Sequence, residues 1–277
     1  MMIEKGRSAT PLKDKKLFVF DLDGTVYLGK RIFPEAVKLV NRLSESGRKV
    51  LFFTNNASST AEFYLGKLRH AGFEVSDDAV MTSGDVAASF LLTRRPGKRV
   101  FLLGTEALKN SMRQRGVGVT DCADGKSADI VVSSFDTELT FGKLTTACRL
   151  LWNGAEYFCT HPDLRCPTDE GYLPDSGAIA AMLTAATGVK PVFFGKPHPV
   201  TMEAITESTG FSKDEICVVG DRLYTDIAFA INSGVTSVLV LTGETDAKTV
   251  GKLPDTEMPD YVFENADGIY RRVFGKE

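Results

Sequence analysis

Long apolar runs are missing from this chain of 277 residues: none approaches the ~20 residues a membrane span requires, and the polar start is not that of a signal peptide. Charge of one sign is not in excess either. The formal net charge is −3, with Lys and Arg spread along the chain, which argues against a nucleic-acid partner and leaves room only for a locally basic pocket. Cysteine is scarce: Cys122, Cys148, Cys159, Cys166 and Cys217 are an odd set with no Cys-x-x-Cys spacing, so neither a disulfide framework nor a zinc site is expected. Free thiols point instead to a reducing, cytoplasmic setting. Histidine is scarcer still. His70, His161 and His198 are too few for a multi-histidine metal centre. There is no internal repeat and no low-complexity segment.

What is present is concentrated in residues 17 to 26, Leu-Phe-Val-Phe-Asp-Leu-Asp-Gly-Thr-Val. Four consecutive apolar residues suit a strand buried on both faces, as in a parallel sheet. Chemistry in open α/β sheets sits beyond the carboxyl ends of such strands, where Asp21 and Asp23 fall. Gly24 allows the backbone to turn sharply, and two carboxylates there make a hard oxygen site suited to Mg²⁺. The alternative is an Asx-type turn after a strand.

Strands and helices alternate onward from there. Pro34 to Ser46 reads as a helix with Val37, Val40 and Leu43 on one face and Gly47 at its end. A strand follows at Lys49 to Phe53, then a capping box at Ser59-Thr60-Ala61-Glu62 opens a helix to about His70. A short strand near Thr82 and a helix to about Leu92 lead to the break Arg95-Pro96-Gly97. Residues 98–190 read as a second α/β unit, with strands at Arg99 to Leu103, Asp129 to Val132 and Glu156 to Cys159 and a closing helix at about Gly177 to Ala186. Residues 191–277 resume the first rhythm, with strands at Val192 to Phe194, Ile216 to Val219, Ser237 to Leu241 and Tyr261 to Phe263. The fold class is α/β: a Rossmann-like parallel-sheet core of residues 1–97 and 191–277, with 1–16 a loose tail, and an inserted α/β domain at 98–190.

Four strand ends carry polar groups: Asp21 and Asp23, Thr54 and Asn55, Lys196, and Asp221 with Asp226 five residues on. Strands of a parallel sheet end on one edge, so these groups can converge although the outermost lie about 200 residues apart. The inventory fits phosphoryl transfer: carboxylates for Mg²⁺, Thr54 and Asn55 to donate to phosphate oxygens, Lys196 to neutralise charge. In isolation Lys196 reads as a surface lysine, but Pro197 and Pro199 stiffen its loop. Tyr172, Phe135 and Trp152 read as core aromatics before stacking platforms.

Together the motifs Asp21-Leu-Asp23-Gly24-Thr25-Val26, Thr54, Lys196 and Gly220-Asp221-Arg-Leu-Tyr-Thr225-Asp226 resemble those of the haloacid dehalogenase (HAD) superfamily. Phe53-Thr54-Asn55-Asn56-Ala-Ser and Gly195-Lys196-Pro197-x-Pro199 narrow the resemblance to its NagD and p-nitrophenyl phosphatase-like branch, with a large α/β cap. The resemblance implies a Mg²⁺-dependent phosphatase of small phosphomonoesters. Asp21 would be the nucleophile forming an aspartyl-phosphate, and Asp23 the acid and base. Asp21, the Asp23 main-chain carbonyl and Asp221 would hold the metal, with Asp226 in support. The segment from Thr160 to Ala178 aligns with the cap's substrate-facing loop, which makes His161 and Asp175 candidates for substrate contact. Relatives commonly carry Asn and Gly there. The alternatives are that His161 packs the loop and that Asp163 and Asp175 only cap a turn or a helix. The implied partner is a small phosphorylated metabolite, with no nucleic acid polymer and no membrane, and a homodimer through the cap is possible. The competing functions are a phosphotransferase or mutase on the same core and a non-catalytic phosphate-binding regulatory protein. The few residues between Thr25 and Pro34 leave no space for the small helical cap of superfamily mutases.

Overall fold

The structure, a computed structural model, describes residues 3–4, 10–122, 127–168 and 171–275. By internal contacts the chain forms two compact units. One comprises Met1–Phe53, Tyr64–Met81 and Lys196–Glu277, the other Thr54–Phe63 and Thr82–Gly195.

The first unit is organised by a seven-stranded sheet. Its order is Ile3–Glu4, Tyr261–Phe263, Thr236–Val240, Ile216–Gly220, Leu17–Phe20, Lys49–Thr54 and Val80–Thr82. The central strands pair in parallel, and Leu17–Phe20 lies beside Ile216–Gly220 on one side and Lys49–Thr54 on the other. Every residue of Leu17–Phe20, Ile216–Gly220 and Thr236–Val240 is buried, as uninterrupted apolar strands of a parallel sheet should be. Phe18, Phe20, Phe52 and Phe73 pack as a chain of rings through this core. The helix Pro34–Glu45 buries Ala36, Leu39, Val40 and Leu43 and packs on the helix Ala266–Phe274. Between Val26 and Phe33 the chain makes only a hairpin, Tyr27–Leu28 with Arg31–Ile32.

The second unit has its own five-stranded parallel sheet, in the order Val192–Phe193, Glu156–Cys159, Ile130–Ser133, Arg99–Leu103 and Gly118–Thr120. An antiparallel ribbon, Arg165–Thr168 with Gly171–Pro174, completes it.

The sequence places the boundaries of the inserted unit at 98 and 190, whereas the contacts place them at Thr82 and Gly195. Gly84 lies against Ala57 and Leu108, which draws the helix Ser83–Arg94 into the second unit. Val192–Phe193 hydrogen-bonds to Glu156–Cys159, so that strand belongs to the second sheet. The expected loose tail is also corrected. Ile3–Glu4 pairs with Tyr261–Phe263, and Leu12 and Lys15 are buried; only residues 1–2 and 5–9 of that segment lie outside the described residues. The helix expected to be capped by Ser59 starts one residue later, at Ala61, with the Phe63 amide donating to Thr60 Oγ1. Phe135 is buried as expected, but Tyr172 and Trp152 are exposed.

Candidate active site

Within the first unit, the strands Leu17–Phe20 and Ile216–Gly220 pair so that Phe20 faces Val219, and the Asp21 amide continues the ladder by donating to Val219 O at 2.9 Å. Asp21 and Asp221 therefore leave adjacent strands side by side. Asp226 joins them from a single wide π-helical turn, Leu223–Ile227, and one oxygen from each of the three lies within 4.8 Å of the others. The Lys196 ammonium donates to Asp21 Oδ1 at 2.5 Å, to Asp226 Oδ1 at 2.6 Å and to Phe53 O at 3.3 Å. It is not a surface lysine: only 3% of the residue is exposed.

Two buried carboxylates and a partly buried third, gathered beside one ammonium that pairs with Asp21 and Asp226, are electrostatically unbalanced. Burial raises the Asp21 carboxyl above the ordinary carboxylate range; Lys196 opposes the shift, while Asp226 and Asp221 add to it. Burial likewise raises Asp221, with Asp226 adding to the effect. Burial alone would lower Lys196, but Asp21 and Asp226 hold it above its usual value. Asp221 Oδ2 accepts from the Glu244 amide at 2.7 Å, and Oδ1 from Thr25 Oγ1 at 3.3 Å. A Cβ at Gly24 or at Gly243 would run into the Asp221 carboxylate, and one at Gly220 into Asp226. Gly24 also has φ +89°, a conformation only glycine adopts without strain. All-oxygen donors, crowded negative charge and a glycine-lined cradle fit a hard divalent cation. Asp23 lies outside this trio. Burial raises its carboxyl, opposed first by Lys67, then by Arg222 and Lys196. Lys67 itself lies 3.5 Å over the Tyr27 ring.

Thr54 closes the strand beside Leu17–Phe20, and its hydroxyl accepts from the Asn56 amide at 3.1 Å. Asn55 is buried, and its side-chain amide donates to Asp163 Oδ2 at 3.1 Å.

A second polar cluster lies within the second unit. His161 is 0% and Asp175 4% exposed, and His161 Nε2 meets Asp175 Oδ1 at 2.8 Å. Asp175 is also the cap of the helix Ser176–Thr187, accepting from the Ser176 amide. The other imidazole nitrogen, Nδ1, faces Thr160 Oγ1 at 3.1 Å and Ser83 Oγ at 3.4 Å. The row Ser83, His161, Asp175 has the composition of a hydrolytic triad. Ser83, however, is fully buried and donates its hydroxyl to Asn55 O, so it is not presented as a nucleophile. As placed, His161 and Asp175 contact each other and the loops around them.

Sequence reasoning did not find Thr242, whose hydroxyl donates to Gly24 O at 2.6 Å, nor Gly243, Glu244, Arg222 or Lys67. The first three had a signal, because Thr242-Gly243-Glu244 follows directly on a buried strand two places from that of Asp21. Arg222 sits inside the fourth motif. Lys67 had none, being one lysine on an exposed-looking helix.

A model described as haloacid dehalogenase-like hydrolase matches residues 18–118, and a second HAD-hydrolase-like model matches residues 193–268. An acid sugar phosphatase of Staphylococcus saprophyticus is 32% identical over 262 residues, covering 95% of this chain and 99% of the relative. A crystal structure of a 4-nitrophenylphosphatase from Thermotoga maritima superposes with a TM-score of 0.89 at 42% identity, covering 95% of this chain and 98% of that one. A glycerol phosphate phosphatase of Mycobacterium tuberculosis, solved with magnesium, gives 0.85 at 32% identity, covering 94% and 78%. By motif, by fold and by these likenesses, the chain belongs to the haloacid dehalogenase-like hydrolases.

Proposed function

We propose that this hydrolase is a divalent-metal-dependent phosphatase of small phosphomonoesters, working through an aspartyl-phosphate. The observation that carries the reading is the meeting of Asp21, Asp221 and Asp226 around the Lys196 ammonium at one sheet edge. The names of the relatives, a sugar phosphatase, a 5'-nucleotidase and p-nitrophenyl phosphatases among them, support the substrate class.

In this reading Asp21 attacks phosphorus in line, forming an acyl phosphate as the ester oxygen departs. Asp23 gives that oxygen its proton, then takes one from the water that cleaves the new phosphorus–oxygen bond and regenerates Asp21. The rise in the Asp23 carboxyl suits a group that must hold a proton in one step. Lys196 favours the ionised form of Asp21 and neutralises phosphate charge, while Asp226 holds Lys196 in place. Thr54 and Asn55 are the proposed phosphate donors. Asp21, the Asp23 main-chain carbonyl and Asp221 would hold Mg²⁺, whose charge offsets that of the transferring phosphoryl group. Substrate choice is assigned to the second unit, with His161 and Asp175 acting by shaping its loops. Self-association through that unit belongs to the same reading, supported by exposed Phe141, Trp152 and Met182. A cytoplasmic setting is supported by five free cysteines.

Phosphate release from p-nitrophenyl phosphate, with and without Mg²⁺, tests the activity. A screen of sugar phosphates, nucleoside monophosphates and glycerol phosphate then ranks substrates. No release from any of them at saturating Mg²⁺ would leave a phosphate-binding protein as the reading.

A further inference from the structure

Two loops at the carboxyl edge of the first sheet each lend a backbone amide to a carboxylate. The Arg222 amide donates to Asp226 Oδ2 at 3.2 Å, and the Glu244 amide to Asp221 Oδ2 at 2.7 Å. The side chains of the same two residues meet, with Arg222 Nε 3.3 Å from Glu244 Oε2. The Tyr224 hydroxyl donates to that same oxygen at 3.0 Å. Arg222 Nε is shielded from solvent and makes no hydrogen bond, so Glu244 opposes it by charge alone. Arg222 directly follows Asp221 in the chain and its amide is held by Asp226, so its guanidinium is tethered close to the acids.

Resting on the metal-dependent reading above, we propose that Glu244, braced by Tyr224, is a positioning residue that holds the Arg222 guanidinium off the three carboxylates and keeps them open to a divalent cation. Its side chain latches Arg222 while its amide orients Asp221, so one residue fixes both the ligand and its competitor. Without the latch, Arg222 is drawn to the acids and contends with the metal for Asp221. Since none of the three residues is a reacting group, the effect falls on metal affinity and not on the chemical step.

The test compares wild type with Glu244→Ala, Glu244→Gln and Tyr224→Phe. Mg²⁺ binding to the metal-stripped proteins is measured by calorimetry, and p-nitrophenyl phosphate turnover is measured against Mg²⁺ concentration. Since the pair is partly exposed, Glu244→Ala should weaken Mg²⁺ binding and raise the half-activating concentration roughly fivefold, with kcat at saturating Mg²⁺ within about twofold of wild type. Glu244→Gln, which keeps an acceptor for Tyr224 but loses the charge, should match Glu244→Ala more closely than wild type; Tyr224→Phe should give a smaller shift in the same direction. Unchanged Mg²⁺ binding in Glu244→Ala, beside a wild type that binds and needs Mg²⁺, would overturn the inference alone. Loss of kcat and melting temperature together, at unaltered Mg²⁺ affinity, would also overturn it, because the role would then be structural. A wild type that neither binds nor needs Mg²⁺ would overturn the metal-dependent reading and this inference with it.

Discussion

The two polar clusters are made of similar residues and are balanced in opposite ways. Around Asp221, three carboxylates gather beside one ammonium, with Asp221 and Asp226 packed directly against glycines, so negative charge is left over. Around His161, each polar group has a partner: Asp175 takes one ring nitrogen, hydroxyls of Thr160 and Ser83 face the other, and Ser83 is committed to Asn55 O. A cluster with unmet charge has work to do on something that arrives. A cluster with every group met holds loops in place.

Asp21→Asn gives the largest expected effect. It removes the proposed nucleophile and an anionic ligand together, so phosphatase activity should fall by more than ~10³-fold. Because it also relieves repulsion among the acids, its melting temperature in EDTA should be no lower than that of wild type. Retention of a tenth of the activity would end the covalent mechanism, and a large drop in melting temperature would mean the charge there is structural after all.

Gly243→Ala comes next. The new Cβ would displace the Asp221 carboxylate, an overpacking that costs about 1–3 kcal/mol and should raise the Mg²⁺ requirement at the same time. Normal Mg²⁺ activation in that variant would show that the metal does not depend on where the Asp221 carboxylate sits.

His161→Ala should behave in the reverse manner. It leaves Asp175 buried without its imidazole, so stability should fall by about 1–3 kcal/mol in denaturant titration. Activity toward p-nitrophenyl phosphate and toward the best natural substrate should decline in parallel. A selective loss on the larger substrate, at unchanged stability, would restore His161 as a substrate contact.

The smallest effect tests ordinary surface charge. Glu215 accepts from Ser212 and from Lys16, which hold its carboxyl well down, to about 2 from an ordinary 4.5, the Lys16 hydrogen bond contributing most. A depressed acid stabilises the fold above its unfolded pKa, and that contribution is lost as pH falls from about 4.5 toward 2. Glu215→Gln should flatten the stability–pH curve in that window, leaving the variant less stable than wild type above about pH 4.5 and equal to it below about 2. An identical acid limb in both proteins would exclude the interaction.

The acid cluster was legible because its members follow apolar strands, and parallel strands bring their ends together whatever their separation in sequence. Its supporting glycine at 243 follows the same rule and could have been read in the same way. The closed cluster was legible only in part. His161 and Asp175 stand out by type, but whether a histidine faces a ligand or a buried carboxylate depends on packing that motif spacing does not encode. The boundaries moved for the same reason. Arg95-Pro96-Gly97 is a real break after the helix Ser83–Arg94, yet Gly84 had already committed that helix to the second unit by fitting against Ala57 and Leu108.

The pairing of Leu17–Phe20 with Ile216–Gly220 has a consequence for synthesis on the ribosome. Asp21 is translated early, but its neighbour in the sheet is made some 200 residues later. Closing so long a loop carries an entropic cost that nothing offsets until the later strand exists. The second sheet, whose strands all lie within Thr82–Gly195, can assemble on the nascent chain before then. A chain cut short anywhere before Asp226 therefore holds Asp21 without its lysine clamp complete or its acidic partners gathered. Unfinished molecules carry no phosphate-cleaving centre loose in the cell.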